Sequence, residues 1–381
     1  MIRYYRAGHI LSEGGWVEGS ALATQEGRIV DVISGGTPEA QTEDLGPGYL
    51  CPGFFDTHIH GYAGVDVMDA DAAALRRMCR ALPQTGVTRF LATTLTDSEA
   101  RIEDACRAVR EVAEHPGEGA RVEGLFLEGP FFNPKRCGAQ EAAHMRLPEI
   151  ARLAQWQEAA GGRIRKIALA PELSGSESFI RAARRMGIAV ALGHSDATYE
   201  QAKAAVDAGA TIFVHLYNAM SGLHHREPGL VGAGLTLDDC YAELICDGQH
   251  VHAAAQQVVF SCRGTDHTVL ITDCMRAGGM SDGCYTLGTE PVVVQGGAAR
   301  LRNGSLAGSV LQMKDAVRAI AEGHRATWEQ AIRMASRVPA RSVGAADRIG
   351  CFLPGAEADF LYFTDPAHLA GAWVSGIRAS F

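Results

Sequence analysis

Short apolar segments of strand length recur along this chain, and most of them end at a histidine or a carboxylate. Helix-like stretches separate several of them, such as the alanine-rich run at 199–208 that is followed by Gly209. Alternating strands and helices predict a parallel sheet, and eight such strands close into a barrel. We therefore predict an α/β fold built on a (β/α)8 TIM barrel, with strands at 54–58, 87–92, 122–127, 164–170, 188–193, 211–214, 241–246 and 268–272.

Residues that can bind a metal stand where these strands end. His58 and His60 are two positions apart in an extended segment, so their imidazoles project from the same side. One such residue alone would be an ordinary polar group at a strand end, but that does not explain several at equivalent positions. Because the carboxyl ends of barrel strands meet at one face, we expect these side chains to converge there. The residues directly after later segments are Glu128, His194, His215, Asp247 and Asp273.

Histidine and carboxylate ligands without cysteine suit zinc, manganese or ferrous iron in a catalytic site. We predict that Glu128, His194 and His215, which come from three different strands, bind the principal divalent metal. Zinc is the first choice, with manganese, iron or cobalt as alternatives. A carboxylate such as Glu128 can bridge two ions, so His58 and His60 can supply a second site. We therefore predict one or two metal ions per subunit.

The residue types also indicate the chemistry of this site. A metal ion lowers the pKa of a bound water from about 15.7 towards about 7, and so makes hydroxide available at neutral pH. Asp273, which follows the last strand, would accept the proton of that water and return it to a leaving amine. We therefore predict a metal-dependent hydrolase with Asp273 as the catalytic acid and base.

The composition excludes several classes of protein. The net charge of −9 at pH 7 and the pI near 5.9 do not fit a nucleic-acid-binding protein, which normally has a basic face. The ten cysteines show no paired spacing, which indicates reduced thiols rather than a disulfide framework. No apolar run approaches the roughly 20 residues of a membrane span, and no signal peptide is apparent after Met1. We expect a cytoplasmic protein that binds neither nucleic acid nor membrane.

The two ends of the chain differ from its middle. Residues 1–50 contain short alternating segments split by turn signals, and residues 349–363 repeat this style. Neither end is long enough to bury a core alone. We predict one small β-sandwich built from residues 1–53 and 346–381, with the catalytic barrel at 54–345 inserted between them. We also predict a β-hairpin at 285–301, after the seventh or eighth barrel strand.

Seven longer motifs follow one another between residues 52 and 275. They are PGFFDTHIHG at 52–61, LEGPFFNP at 127–134, GHSD at 193–196, HLYNAM at 215–220, REPGLVG at 226–232, DGQH at 247–250 and TDCM at 272–275. With this series the chain resembles the N-acetylglucosamine-6-phosphate deacetylase family of the amidohydrolase superfamily. Related dihydroorotases and hydantoinases use a carbamylated lysine after the middle strand. This chain has Glu128 at the equivalent position, which favours the deacetylase branch.

The resemblance implies a substrate and the roles of further residues. It implies that the substrate is a phosphorylated amino sugar, N-acetyl-D-glucosamine 6-phosphate. The enzyme is implied to remove its acetyl group, giving glucosamine 6-phosphate and acetate. It is also implied to be a homodimer. Asn218, the backbone at Ala219 and Arg226 are implied to hold the phosphate, and His250 to polarise the substrate near the reacting amide. The implied backbone contacts to the sugar or its acetyl group come from Ala139, Leu306, Ala307 and Gly308.

Three alternatives stay open at this point. The substrate can be the galactosamine epimer, because the contacts of one hydroxyl decide that choice. The protein can also be another N-acyl amide hydrolase of the same superfamily, whose activity would not depend on phosphate. Arg226 is the residue whose role would distinguish this alternative. The third is an inactive barrel that serves as a scaffold, which the retained ligands and Asp273 disfavour. Gln140 stands where some family members have a histidine, which weakens a charged role for this position in binding phosphate.

Overall fold

The computed structural model describes all residues from Met1 to Phe381 and contains 23 strands in five sheets. The strands before the barrel are β1 (Arg3–Arg6), β2 (His9–Ser12), β3 (Gly15–Glu18), β4 (Ser20–Gln25), β5 (Arg28–Ser34), β6 (Thr42–Asp44) and β7 (Tyr49–Pro52). The next ten are β8 (Phe54–Ile59), β9 (Gly61–Tyr62), β10 (Val65–Asp66), β11 (Val87–Thr94), β12 (Arg121–Glu128), β13 (Ile164–Leu169), β14 (Ala189–Leu192), β15 (Ile212–Phe213), β16 (Tyr241–Ile245) and β17 (Thr268–Ile271). The last six are β18 (Gly283–Leu287), β19 (Glu290–Gln295), β20 (Ala298–Leu301), β21 (Phe360–Asp365), β22 (His368–Val374) and β23 (Ile377–Arg378).

Ten α-helices follow or connect these strands. Several begin at side chains that accept hydrogen bonds from the first turn, such as Asp71, Ser98 and the capping box of Thr198 with Gln201. No helix is both long enough and apolar enough to cross a lipid bilayer. The helices are α1 (Ala72–Ala81), α2 (Glu99–Glu114), α3 (Ile150–Ala159), α4 (Ser176–Arg185), α5 (Tyr199–Asp207), α6 (Gly229–Thr236), α7 (Ala253–Arg263), α8 (Met313–Glu322), α9 (Trp328–Ala335) and α10 (Arg337–Ser342).

The central sheet is the predicted parallel barrel. Its strands lie in the order β8-β11-β12-β13-β14-β15-β16-β17, and every neighbouring pair is parallel. A parallel bridge between Ile59 and Cys274 joins the last strand to the first. Each predicted barrel segment overlaps one of these strands, so the predicted fold class is confirmed. The sequence pattern was informative because barrel strands are buried on both faces and therefore appear as nearly continuous apolar runs.

The interior of the barrel is filled with side chains. Phe55, Leu91, Phe126 and Ala168, from four neighbouring strands, belong to one buried cluster that also includes Ile349 from the segment after α10. Apolar residues that alternate with them face outwards and pack against the helices, as in other barrels of this type. The packed interior leaves the carboxyl ends of the strands as the face that can carry a site.

Two further sheets are built from strands at the ends of the chain, and the second of them combines strands from both ends. One has the order β5-β4-β1-β6 and the other the order β23-β22-β21-β7-β2-β3. Strands β7 and β21 pair antiparallel, with Leu50 opposite Tyr362, so the N-terminal and C-terminal segments share one sheet. Tyr5, Ile10 and Trp373 lie in a small buried cluster of their own. The domain boundaries at 53/54 and 345/346 stay a prediction.

The excursion after the last barrel strand is larger than predicted. Strands β18, β19 and β20 form a three-stranded antiparallel sheet that covers the segment from Gly283 to Leu301. The expected hairpin is therefore a three-stranded meander that follows β17, the eighth barrel strand. The Gly296-Gly297 turn, at which both residues have positive φ, allows the chain to reverse a second time.

Candidate active site

Six predicted site residues converge at the carboxyl ends of the barrel strands. His58 lies near the end of β8 and His60 just beyond it, while Glu128 is the last residue of β12. The other three stand two residues beyond β14, β15 and β17. All six are buried, with exposed fractions between 0% and 8%. These six residues are His58, His60, Glu128, His194, His215 and Asp273.

Three of these residues have the left-handed backbone conformation, which is unusual for a residue other than glycine. The φ angles are 47° at His194, 28° at His215 and 49° at Asp273. Such a conformation costs on the order of 1–3 kcal/mol per residue and persists where the surroundings enforce it. The main-chain carbonyls of all three accept backbone hydrogen bonds, from Asn133, Asn218 and Ser309 respectively.

The nitrogens of four histidines, among them His58, surround the carboxylate of Glu128. Its Oε1 lies 3.3 Å from Nε2 of His194 and 3.0 Å from Nε2 of His215. Its Oε2 lies 3.2 Å from Nε2 of His60. Asp273 approaches the same group, because its Oδ1 is 3.2 Å from Nε2 of His60. Glu128 therefore lies between the two predicted metal positions, as a bridging ligand would.

The Nε2 atom of His58 shows whether a cation fits among these residues. It is 3.2 Å from Oε1 of Glu128 and 3.4 Å from Oδ1 of Asp273, yet this buried nitrogen forms no hydrogen bond. A buried polar atom without a partner is costly, so it requires an explanation. Potential ligand atoms lie mutually within 4.8 Å in two sets, His58 with His60 and Asp273, and His58 with Glu128 and His215. A divalent cation bound to nitrogen and oxygen ligands fits this arrangement.

The two carboxylates dominate the electrostatics of the site. Burial alone would lower the pKa of His58 and His60, but Glu128 and Asp273 outweigh it and raise those pKa values to about 9 and about 10. Burial would raise the pKa of Glu128, yet the surrounding histidines hold it well below its ordinary range. His58 and His60 lower the pKa of Asp273 in the same way against burial. The site therefore stabilises positive charge, whether it is carried by protons or by a metal ion.

Gln140 contributes to the site in a way that the sequence did not indicate. This buried side chain donates from Nε2 to Oε2 of Glu128 at 2.5 Å and accepts from the amide of Thr96 at 2.6 Å. It therefore holds one oxygen of the central carboxylate in place. Some family members have a histidine at this position, which raised the question of a contact with phosphate, but the Gln140 amide here binds Glu128 and Thr96.

A cavity of about 250 Å3 opens beside these side chains. Its lining contains no lysine or arginine. Leu95 and Leu287 add an apolar wall that the sequence analysis did not identify. Six of the predicted substrate-binding residues line the cavity, namely Ala139, Asn218, Ala219, His250, Leu306 and Gly308.

The other two predicted substrate-binding residues are not in the lining. Ala307 is fully buried, and its amide donates to the carbonyl of Ala299 at 3.0 Å. Arg226 is exposed, with Nη1 at 2.8 Å from Nε2 of His225. The structure therefore does not bring Arg226 together with the cavity residues, and its contact with a phosphate stays a prediction.

His250 and Asp247 form a pair at the cavity wall. Oδ2 of Asp247 lies 2.7 Å from Nδ1 of His250, and Oδ1 accepts from the His250 amide at 2.9 Å. Burial would raise the pKa of Asp247, but His250 lowers it. Asp247, which follows its strand as the metal-site residues do, is thus hydrogen bonded to His250 and does not join the metal-site residues.

Two buried charged residues beneath the site were missed. Lys166 and Glu243 lie inside the barrel on β13 and β16, and Glu243 contacts His58. A signal was present, since each is a charged residue within an otherwise apolar strand segment. Such residues are almost never fully buried unless they are paired.

Comparisons with known proteins agree with this architecture. Residues 49–378 match the model of the Amidohydrolase family. The chain is 41% identical to an N-acetylgalactosamine-6-phosphate deacetylase of Escherichia coli O157:H7, over 100% of both chains. It is also 41% identical to an N-acetylglucosamine-6-phosphate deacetylase of Vibrio furnissii, over 98% of this chain and 94% of that one.

A solved structure covers the same length. It is a mutant N-acetyl-D-glucosamine-6-phosphate deacetylase from Mycobacterium smegmatis in complex with N-acetyl-D-glucosamine 6-phosphate. It superposes with a TM-score of 0.93 at 30% identity over 100% of both chains. The resemblance that the sequence motifs indicated is thereby confirmed. This chain belongs to the amidohydrolase family, within the group that includes the N-acetylglucosamine-6-phosphate deacetylases.

Proposed function

We propose that this protein is a metal-dependent hydrolase that removes the acetyl group of N-acetyl-D-glucosamine 6-phosphate, giving glucosamine 6-phosphate and acetate. The observation that carries this proposal is the convergence of Glu128, four histidines and Asp273 beside a cavity, which all of them except His58 line. That cavity, of about 250 Å3, suits a single monosaccharide rather than a polymer segment. The named activities of the relatives support the same reaction.

We propose zinc as the metal, with manganese, iron or cobalt as alternatives, and one or two ions per subunit. Glu128, His194 and His215, whose ligand atoms lie within 3.3 Å of one another, would hold the principal ion, and His58 with His60 would hold the second. A divalent ion bound there lowers the pKa of a coordinated water to about 7 and polarises a carbonyl. The donor set of imidazoles and carboxylates without thiolate supports this choice.

Asp273 is proposed as the catalytic acid and base. Its carboxylate lines the cavity, and the nearby histidines keep its pKa low, so it is ionised at neutral pH. An ionised carboxylate accepts a proton from the attacking water and delivers it to the amine as the carbon–nitrogen bond breaks. The distance of 3.2 Å between its Oδ1 and Nε2 of His60 supports this role, because the proton would move beside the proposed metal site.

The remaining cavity residues would orient the substrate. His250, held at Nδ1 by Asp247, presents its other ring nitrogen to the amide carbonyl. The backbone amides of Ala139, Ala219 and Gly308 donate no hydrogen bond within the chain, so they are available to substrate oxygens. Because no lysine or arginine lines the cavity, we propose that the phosphate lies at its mouth. There Asn218, the Ala219 amide and Arg226 would contact it.

The second candidate is the same hydrolysis on the galactosamine epimer. The relative from Escherichia coli O157:H7 carries that name at 41% identity, the same value as the glucosamine-specific relative from Vibrio furnissii. The two sugars differ at one hydroxyl, so one hydrogen bond at the cavity wall decides the preference. We propose the glucosamine sugar as the main substrate.

We also propose that the protein acts in carbohydrate metabolism in the cytoplasm, as a homodimer. All ten cysteines are free, and two of them, Cys262 and Cys284, are exposed, which suits a reducing compartment. Light scattering on the purified protein tests the dimer directly.

The deciding experiment measures acetate release by the metal-loaded protein. The substrates are N-acetylglucosamine 6-phosphate, its galactosamine epimer, unphosphorylated N-acetylglucosamine and an N-acetyl amino acid. We expect the highest kcat/KM with the first substrate. A higher value with the epimer would reverse the sugar preference, and equal values with and without phosphate would place the protein among other N-acyl amide hydrolases.

A further inference from the structure

A buried ion pair lies directly beneath the metal site. Lys166, on β13, and Glu243, on β16, have no exposed surface and point into the barrel from opposite sides. The Lys166 ammonium contacts Oε1 of Glu243, donates to the carbonyl of Thr57 at 2.9 Å, and lies 3.6 Å from the centre of the Phe126 ring. These contacts leave the pair fully enclosed and in one fixed geometry.

The second oxygen of Glu243 reaches the metal site. Its Oε2 lies 3.0 Å from Nδ1 of His58. A carboxylate can only accept, so the proton of His58 must be on Nδ1. A neutral imidazole then has its lone pair on Nε2, the atom that faces Glu128 Oε1 at 3.2 Å without a hydrogen bond. Glu243 therefore selects the tautomer in which His58 can bind a cation.

No other histidine of the metal site has a carboxylate at its second ring nitrogen. Nδ1 of His194 faces the backbone carbonyl of Arg136 at 3.0 Å. Nδ1 of His60 and Nδ1 of His215 have no partner. Carboxylates that hold the second nitrogen of a ligating histidine orient the ring and raise its basicity. Only His58 receives that support here, and it belongs to the second predicted metal position.

Burying a charged pair does not by itself favour the fold. Removing both charges from water carries a penalty that their attraction repays only in part, and an apolar pair of similar volume is often at least as stable. The Lys166–Glu243 pair therefore needs a reason beyond stability. Its geometry supplies one, because Lys166 holds Glu243 against His58.

We propose that Glu243, held by Lys166, is a positioning residue that makes His58 a metal ligand, so that binding of a second divalent ion depends on this ion pair. The principal ion, on Glu128, His194 and His215, does not depend on it. This inference rests on the metal site of the proposed function. It adds a reason why a second ion binds, namely that Glu243 prepares His58 as a ligand.

The test compares metal binding by three proteins. In the double variant Lys166→Met with Glu243→Leu, both charges are removed together, so no unpaired charge remains. Glu123→Gln is the matched control, because Glu123 is a buried carboxylate paired with Arg89 and lies at the opposite end of the same barrel. Equilibrium dialysis against zinc or manganese gives the number and affinity of bound ions. Thermal unfolding of the metal-free proteins checks that each one folds.

We expect two ions on the unaltered protein and on the control. On the double variant we expect an unchanged first ion and a second ion bound about 10- to 100-fold more weakly. Two ions bound with unchanged affinity by the double variant would overturn the inference, as would a single ion on the unaltered protein. If the double variant does not fold, Glu243→Gln decides. It keeps the volume but loses the charge, and an unchanged second affinity would again overturn the inference.

Acetate release by the unaltered protein is measured in parallel. Failure to hydrolyse any acetylated sugar would contradict the proposed function, whereas the ion count tests the role of Glu243 separately. Absorption spectra of the cobalt-loaded proteins give an independent readout. The double variant should lose the contribution of the second ion only, and a spectrum identical to that of the unaltered protein would contradict the proposal.

Discussion

The backbone amide of Asp273 donates a 2.9 Å hydrogen bond to the carbonyl of His58. This bond crosses the seam where the last barrel strand meets the first. One residue earlier, Thr272 donates through its hydroxyl to Oδ2 of Asp56 at 2.5 Å, which reinforces the same seam. The proposed proton carrier and a proposed metal ligand are thus joined through the backbone, so closure of the barrel also assembles the reactive part of the site.

We expect Asp273→Asn to reduce kcat by about 100-fold or more while substrate binding persists. General acid and base catalysis is worth about that factor, and the amide cannot accept the proton. Acetate release gives kcat, and competition by a non-hydrolysed substrate analogue gives the affinity. Metal analysis of the same sample serves as the control. Near-normal turnover with the metal in place would show that another group carries the proton.

Without its metal, this protein should lose stability as the pH becomes alkaline. In the metal-free protein the pKa values of His58 and His60 are about 9 and about 10, above the ordinary value of 6.5. A raised pKa means that the folded state holds these protons more tightly than the unfolded state. Their contribution to the free energy of unfolding is therefore complete below about pH 6.5 and is lost as the pH rises through about 9 to 10.

Thermal unfolding of the metal-free protein across this range measures that loss. The control is the double variant His58→Gln with His60→Asn, whose melting temperature should fall less steeply over the same interval. Bound zinc should also diminish the fall, because the cation replaces the protons. Parallel curves for the metal-free protein and the double variant would mean that other groups cause the alkaline loss.

Arg226→Ala should lower kcat/KM for the phosphorylated sugar by about ten-fold to a few hundred-fold. A charge-assisted hydrogen bond to phosphate is worth roughly 1.5–3 kcal/mol, and no arginine or lysine lines the cavity itself. The slow reaction of the unphosphorylated sugar should barely change. Arg185→Ala, which removes another exposed arginine, is the control. Equal losses on both sugars would indicate a structural role for Arg226.

His250→Asn should lower kcat by about 100-fold. A donor aimed at the developing negative charge on the amide oxygen is worth roughly that much. Asp247→Asn should have a smaller effect, because it keeps a hydrogen-bond acceptor for His250 but removes the charge. Steady-state kinetics of both variants separate kcat from KM. A rise in KM with unchanged kcat would mean that His250 binds the substrate without polarising it.

The barrel strands and the strand-end residues of the site could be predicted because their signal is local. A buried parallel strand must be apolar on both faces, so its extent shows in a few consecutive residues. His58 and His60 share one side through the two-residue repeat of a strand. The excursion at Gly283–Leu301 was less predictable, since two turns can follow one another in a short segment without a distinct pattern.

The contacts that organise the site were not predictable, because they join distant parts of the chain. Gln140 holds Glu128 across a loop, and Lys166 reaches Glu243 on a strand 77 positions later. The presence of Lys166 and Glu243 within apolar strands indicates that each charge is paired, but it does not indicate with which residue. Arg226 is the opposite case, because here a contact was predicted from the sequence. The resemblance implied a phosphate contact for this residue, and the folded chain places it on the surface outside the cavity lining, so the contact stays a prediction.

The sequence by itself therefore determined the barrel and the kinds of ligand available at the ends of its strands. Apolar runs and the two-residue repeat of a strand are properties of neighbouring residues, so they can be recognised in the sequence alone. The tertiary structure decided which ring nitrogen of His58 faces the metal site, what holds Glu128 and which predicted substrate residues reach the cavity. Those outcomes depend on atoms brought within about 3 Å of each other by closure of the barrel, and no local pattern records such distances.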